Sequence, residues 1–159
     1  RLTHAAHVTW KQLLRPGNTV VDATCGNGHD TEFLAQQVGP TGCVYGFDIQ
    51  EAAVASTTRR INESIPAEQR PRVHLVRGCH STMASYVGEG EAKLVCFNLG
   101  YLPSADKSIT TRSESTVTAI KAASKVVARG GAISIMCYTG HPGGMDEYAA
   151  VVDLIQGAA

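Results

Sequence analysis

The sequence predicts an α/β fold: one domain over residues 1–159, doubly wound around a mostly parallel sheet. Three observations carry this reading. Short apolar runs at 19–21, 43–47, 73–76, 93–97 and 132–138 alternate with stretches whose apolar residues recur at helical spacing. The first run passes straight into Asp22-Ala23-Thr24-Cys25-Gly26-Asn27-Gly28-His29-Asp30-Thr31, a glycine turn that opens into the helical stretch Glu32-Phe33-Leu34-Ala35. The second run ends in Asp48, 20 residues beyond Gly28, a distance at which a carboxylate commonly takes a ribose diol. With right-handed crossovers and a sheet order of 3-2-1-4-5, the turns after the first and fourth strands face each other across one crevice.

In order along the chain, residues 3–14 read as a helix with Ala6, Trp10, Leu13 and Leu14 on one apolar face, stopped by Pro16-Gly17. His4 and His7, three apart, read as structural histidines rather than ligands. Asp30 and Thr31 stand where the second helix takes its cap and its first-turn anion. Gly39-Pro40-Thr41-Gly42 is a loop, and Cys43 to Phe47 a buried strand. Residues 51–65 form a helix carrying Ala52, Ala55, Ile61 and Ile65, and Pro66 and Pro71 bracket a polar loop. Arg59, Arg60, Arg70, Arg72 and Arg77 concentrate here, either as a solvated face balanced by Glu63 and Glu68 or as an RNA-contacting patch. Val73 to Val76 is the third strand and Lys93 to Phe97 the fourth. Val117, Ile120, Ser124 and Val127 mark a helix stopped at Gly130-Gly131, before a fifth strand, Ala132 to Tyr138. Thr139-Gly140-His141-Pro142-Gly143-Gly144 then leads to a last helix with Tyr148, Val151, Val152 and Ile155.

Composition narrows the function classes. With 43% apolar and 18% charged residues, the chain reads as soluble and globular rather than disordered. Lys+Arg and Asp+Glu both number 14, so a nucleic-acid partner would be held by a local patch and not by overall charge. Cys25, Cys43, Cys79, Cys96 and Cys137 are scattered without a CxxC pair, which argues for a reducing compartment and against a disulfide framework or a zinc site. No apolar stretch reaches membrane-spanning length and no targeting segment precedes His4. The expected location is the cytoplasm or, in a plant, the plastid stroma. Beginning at Arg1 without Met, the chain is expected to be a trimmed or processed product.

Two cofactor classes use a strand, glycine turn and helix, and a tight turn with no ligand is the plain alternative. A dinucleotide fingerprint asks for a third glycine where Thr31 stands. Asp22 at the strand end would repel a pyrophosphate but can pair with a cationic or amine-bearing ligand such as S-adenosylmethionine. On that reading the cofactor lies against Asp22, Thr24, Gly26, Asn27, Gly28, Asp30 and Thr31. Asp48 takes the ribose or, alternatively, caps the next helix, and Ile49 and Gln50 flank the base. The third strand ends before Cys79 and His80, where such folds reach an adenine. His80 either stacks or hydrogen-bonds there, or is a plain loop residue.

The fourth strand ends in Asn98-Leu99-Gly100-Tyr101-Leu102-Pro103, the second informative stretch. Methyl transfer from a sulfonium is an in-line displacement that needs a positioned, neutral nucleophile. For an amine, the Asn98 side-chain carbonyl and a backbone carbonyl accept its hydrogens and aim its lone pair. Tyr101 can stack on a flat base or shelter the developing cation. Asp106 and His141 are the nearest titratable candidates by topology to receive the amine's proton, with Asp106 alternatively only capping or bracing its loop, and Lys107 and Arg112 lie beside the crevice for RNA contacts.

Asn98-Leu99-Gly100-Tyr101 resembles the Asn-Pro-Pro-Tyr motif of amino-group methyltransferases, with Leu99 and Gly100 in place of the prolines. Together with the Asp22 to Thr31 turn, Phe47-Asp48-Ile49-Gln50, Leu102-Pro103 and Tyr138-x-Gly140-His141-Pro142-Gly143-Gly144, the chain is similar nearly throughout to the rRNA methylase family of class I methyltransferases. Members of that family methylate the 5-aminomethyl group of 2-thiouridine at the tRNA wobble position. The resemblance implies a Rossmann-like class I fold, S-adenosyl-L-methionine as cofactor, no metal, and tRNA bound through its anticodon region, with a homodimer as a further assembly. It also implies that Asp22, Gly26, Asn27, Gly28 and Asp48 hold the cofactor while Asn98 and Tyr101 face the amine. Three departures stand out. The acid often found after the third strand is missing at Gly78 and Cys79, Ser104-Ala105 replaces an expected glycine pair, and the chain stops at Ala159, before the sixth and seventh strands of such folds. The rival readings are methylation of rRNA or of another amino group, an NAD-dependent oxidoreductase, for which no Tyr-x-x-x-Lys pair is present, and a non-catalytic RNA-binding module.

Overall fold

The computed structural model describes residues 2–99 and 113–137. The elements follow as α1 (Leu2–Leu13), β1 (Thr19–Asp22), α2 (His29–Val38), β2 (Cys43–Asp48), α3 (Glu51–Ser64), β3 (Arg72–Arg77), β4 (Ala92–Leu99), α4 (Ser113–Val126) and β5 (Val127–Cys137). Short 3-10 turns occupy Ala67–Gln69 and His80–Ser85. The five described strands form one parallel sheet in the order β3-β2-β1-β4-β5. The order reverses between β1 and β4, so this pair carries the switch point at which ligands of open α/β sheets bind.

The continuous apolar strands are explained by burial on both faces. Val20, Val44, Leu94 and Met136 pack beneath Trp10 and Leu14 of α1 and its end, Leu34, Ala35 and Val38 of α2, and Ile61 of α3. Val21, Phe47, Val95, Phe97 and Leu99 pack on the opposite side against Met83 and Val87 around the second 3-10 turn and Ala119, Ala123 and Val126 of α4. Trp10, Phe47 and Phe97 are among the largest fully buried side chains, and truncating such a ring to alanine typically costs ~3–5 kcal/mol. His7 stacks on Phe33 with 4.1 Å between ring centroids and meets Asp30 at 2.7 Å, which fixes α1 on the start of α2. That is the structural role expected of this histidine.

Four local expectations are corrected. The cap of α2 is Gly28, in the left-handed region at φ 85, with no side-chain cap bond; Asp30 and Thr31 fall inside the first turn, where Asp30 is the expected anion. On α3 the buried residues are Ala53, Thr57 and Ile61, whereas Ala52 and Ala55 are exposed. The helix is rotated to seat Thr57 against the glycine turn, a polar contact that apolar periodicity does not register. α4 ends at Val126, and Val127 already belongs to β5, which runs through Gly130-Gly131 because its pairing with β4 shifts register between Ala92 and Leu94. In the arginine-rich quarter the direct ion pairs go to Glu32 and Glu51 rather than to Glu63 and Glu68: Arg60 lies 3.8 Å from Glu32 and Arg77 3.5 Å from Glu51. Arg70 instead donates to the Ile65 and Asn62 carbonyls at 2.6 and 2.9 Å, closing the end of α3.

Gly46, in β2, leaves room for the turn that follows β1. A Cβ at this position would lie 2.5 Å from Cys25 Sγ and 2.7 Å from Leu75 Cδ2. Gly46→Ala should therefore destabilise the protein by about 1–3 kcal/mol, the ordinary cost of overpacking. A urea midpoint equal to that of the wild type would show that Cys25 and Leu75 yield without cost.

Candidate active site

β1 pairs with β2 as far as Gly46 and with β4 as far as Cys96, and beyond Asp22 the chain must leave the ladder. Ala23 N–H still donates to the Cys96 carbonyl at 2.8 Å, and Cys25 N–H then donates to the Phe47 carbonyl at 3.0 Å. The turn thus steps from the β4 side to the β2 side of the switch point. Gly28 N–H closes it onto the Cys25 carbonyl at 2.9 Å, and Glu32 N–H makes the first helical bond to Gly28 at 2.8 Å.

Asp22 is the internal anchor of this turn. It is 1% exposed, and its two oxygens accept the Thr24 N–H at 3.1 Å and the Thr31 hydroxyl at 2.6 Å. Burial above all, with the neighbouring Asp30 carboxylate adding, pushes its pKa up to about 7; the Thr31 and Thr24 bonds pull the other way. Burial also pushes the thiols of Cys25 and Cys96 well above the usual range, so neither is suited to act as a thiolate.

Asp48 ties the turn to β2. Its carboxylate is half-buried and accepts Gly26 N–H at 3.0 Å and Gln50 N–H at 2.9 Å. The N-cap of α3 is Gln50, so Asp48 stands two residues ahead of the cap position. Ile49, beside it, is 43% exposed. A Cβ on Gly28 would lie 2.8 Å from Thr57 Cα. The glycine is therefore demanded by its left-handed backbone and by the close approach of α3, rather than by ligand approach alone.

His80 and Cys79 follow β3. His80 is buried, faces the Ala23 carbonyl, and meets Phe97 edge-on with 5.5 Å between centroids. Burial lowers its pKa to about 4, so it is neutral at physiological pH. The Cys79 sulfur caps the 3-10 turn, accepting Ser81 N–H at 3.5 Å and the Ser81 hydroxyl at 3.0 Å. Asn98, half-buried near the end of β4, donates its N–H to Thr24 Oγ1 at 2.7 Å.

Thus Asp22, Thr24, Gly26, Gly28, Thr31, Asp48 and Asn98 come together at the ends of β1, β2 and β4. Asn27 is exposed on the turn, whereas Asp30 faces His7 of α1. Tyr101, Asp106, Lys107, Arg112 and His141 lie outside the described residues. Two contributors went unread in the sequence: Thr57, whose hydroxyl donates to the Gly26 carbonyl at 3.3 Å, and Arg60, whose Nε donates to the Asn27 carbonyl at 2.9 Å. Thr57 had a signal, a polar residue four positions from both Ala53 and Ile61 on one helical stripe; Arg60 had none. Among the described residues, no group of three His, Cys, Asp or Glu side chains could hold a metal ion, and no helix is long and apolar enough to cross a membrane.

The raised pKa of Asp22 makes stability pH-dependent. Between about pH 4 and 7 the unfolded chain has lost this proton while the folded protein keeps it. Folding is then disfavoured progressively as pH rises through that window. Asp22→Asn should flatten this slope, so that the fall in urea midpoint from pH 5 to pH 8 is smaller than in the wild type. Equal slopes would show that Asp22 does not hold its proton in the folded state.

The family described as "Putative rRNA methylase" matches residues 44–158, and a general methyltransferase domain matches residues 14–70. A chloroplastic tRNA (mnm5s2U34)-methyltransferase of Arabidopsis thaliana is 43% identical over 157 residues, 95% of this chain and 57% of that protein. The chain therefore spans little more than half the length of that relative. A "putative rRNA-methylase" of Clostridium thermocellum superimposes with a TM-score of 0.90 at 42% identity, covering 98% of this chain and 81% of the other. A Streptococcus mutans protein solved in complex with SAH, also described as a methyltransferase, gives 0.84 at 35% identity, over 98% of this chain and 81% of its own. By sequence over most of its length, and by a five-stranded sheet with its switch point between β1 and β4, the chain belongs to this rRNA methylase family of class I methyltransferases.

Proposed function

We propose that the protein transfers a methyl group from S-adenosylmethionine to an RNA amine, specifically the 5-aminomethyl group of 2-thiouridine at the tRNA wobble position. The observation that carries this reading is the placement of Asn98. It stands at the end of β4, its backbone fixed to Thr24 of the glycine turn across the switch point. The name of the Arabidopsis relative supplies the specific base. Its chloroplast location supports the plastid stroma for a plant form of this chain, the cytoplasm otherwise.

The residues present fit the cofactor. Asp48, half-buried at the end of β2 with Ile49 exposed beside it, suits a ribose and its base, and the turn from Gly26 to Gly28 presents backbone to the same crevice. Asp22 acts from beneath, shaping the turn through Thr24 and Thr31. When bound, S-adenosylmethionine supplies an electrophilic methyl group on a sulfonium. The Asn98 side-chain carbonyl accepts a hydrogen of the amine and turns its lone pair toward that methyl. An alkyl amine is mostly protonated at neutral pH, so the site must favour the neutral form, by desolvation or by passing the proton to Asp106 or His141. Tyr101 stacks on the base, and Lys107 and Arg112 meet the RNA backbone.

Asp48→Ala should weaken binding of S-adenosylhomocysteine by roughly 1.5–3 kcal/mol in calorimetry, and Asp48→Asn, which keeps an acceptor for Gly26 N–H, by less. Unchanged affinity in Asp48→Ala would move the ribose elsewhere. Asn98→Ala should slow single-turnover methylation of aminomethylated tRNA by about 10²-fold or more with cofactor affinity nearly intact. A wild-type rate, or mass spectra of the wobble nucleoside without the added methyl group, would overturn the assignment.

A further inference from the structure

The ladder between β1 and β4 changes partners at its last step. In a regular parallel pair, a residue that donates its N–H to one carbonyl receives at its own carbonyl the N–H from two positions further along the neighbour. Ala23 N–H donates to the Cys96 carbonyl, so the Ala23 carbonyl would next receive the Asn98 N–H. That carbonyl faces the buried His80 ring instead, and the Asn98 N–H goes to the Thr24 hydroxyl at 2.7 Å. Each exchange is further supported. Thr24 is held from the other side through its own N–H to Asp22, and the His80 ring lies edge-on to Phe97, the residue before Asn98. The Asn98 N–H thus remains paired, as buried backbone requires. The two strands separate before the ladder is complete, yet Asn98 stays bonded to the turn that follows β1.

We infer that Thr24 and His80 are positioning residues for methyl transfer. The Thr24 hydroxyl sets Asn98 relative to the glycine turn, and His80, by occupying the Ala23 carbonyl, holds β1 and β4 apart so that only Thr24 reaches the Asn98 N–H. The inference rests on the role proposed for Asn98. It differs from the expectation that Thr24 and His80 contact the cofactor, because both act here within the protein. A pKa of about 4 keeps His80 a neutral donor across the physiological range, consistent with a fixed strut.

The test separates turnover from cofactor binding in the full chain with aminomethylated tRNA. Thr24→Val keeps the shape and removes the acceptor; His80→Phe keeps a ring against Phe97 and removes the donor. Both should lower the single-turnover rate about 10-fold or more while the Kd for S-adenosylhomocysteine changes by less than about 2-fold, and Thr24→Ser should restore most of the rate. A rate loss matched by an equal loss of S-adenosylhomocysteine affinity would make these residues cofactor contacts and overturn the inference. So would wild-type rates in both variants. Asn98→Ala in the same assay separates the two possible failures: a wild-type rate there removes the role of Asn98, whereas a slow Asn98→Ala beside a fast Thr24→Val removes only the strut. Amide hydrogen exchange on the wild-type protein gives a readout independent of variant folding. The Asn98 N–H should be protected to the level of the β4 interior, and exchange as fast as that of an open loop would overturn the bond to Thr24.

Discussion

The architecture of the site depends on a carboxylate withdrawn from water. Asp22 ends β1 at 1% exposure and is satisfied by one backbone N–H and one hydroxyl, both from the turn it precedes. Burying an acid is costly unless its lone pairs are used, and the cost appears here as a pKa of about 7. What the burial secures is the path of the chain from Asp22 to Thr31. Thr24 and Thr31, at opposite ends of the turn, are drawn to one carboxylate, and the glycines between them must take whatever backbone closes that loop.

The other contacts follow from this closure. Asp48 holds Gly26 from β2, Thr57 and Arg60 of α3 take the Gly26 and Asn27 carbonyls, and Gly28 leaves the space into which α3 packs. The glycine turn, where the cofactor is proposed to bind, is thus supported from the sheet and from one helix through hydrogen bonds to backbone. Thr24 carries the same support across to β4. The proposed methyl transfer needs donor and acceptor closely in line, and a hydrogen bond between the glycine turn and the end of β4 is a direct means to that alignment.

Helix α1 adds a third support. His7 meets Asp30 and stacks on Phe33, so Asp30, expected among the cofactor contacts, docks a helix onto the start of α2. Asp30 still acts on the site through charge, since it raises the pKa of Asp22 by more than Asp48 does.

By itself the sequence determined the fold class, the strand order and the crevice between the first and fourth strands. Apolar runs such as Val20-Val21 and Leu94-Val95, buried on both faces, admit few arrangements other than a covered parallel sheet. Separate motifs spread along the chain also carried the family. Only the tertiary structure decided how individual polar side chains divide between ligand and protein. Nothing local says whether Asp22 faces outward or inward, that Thr57 belongs to the glycine turn far before it in the chain, or that the Asn98 N–H goes to Thr24. Those pairings are non-local hydrogen bonds, and their geometry exists only once β1, β3, β4 and α3 are brought together by burial of the apolar faces beneath them.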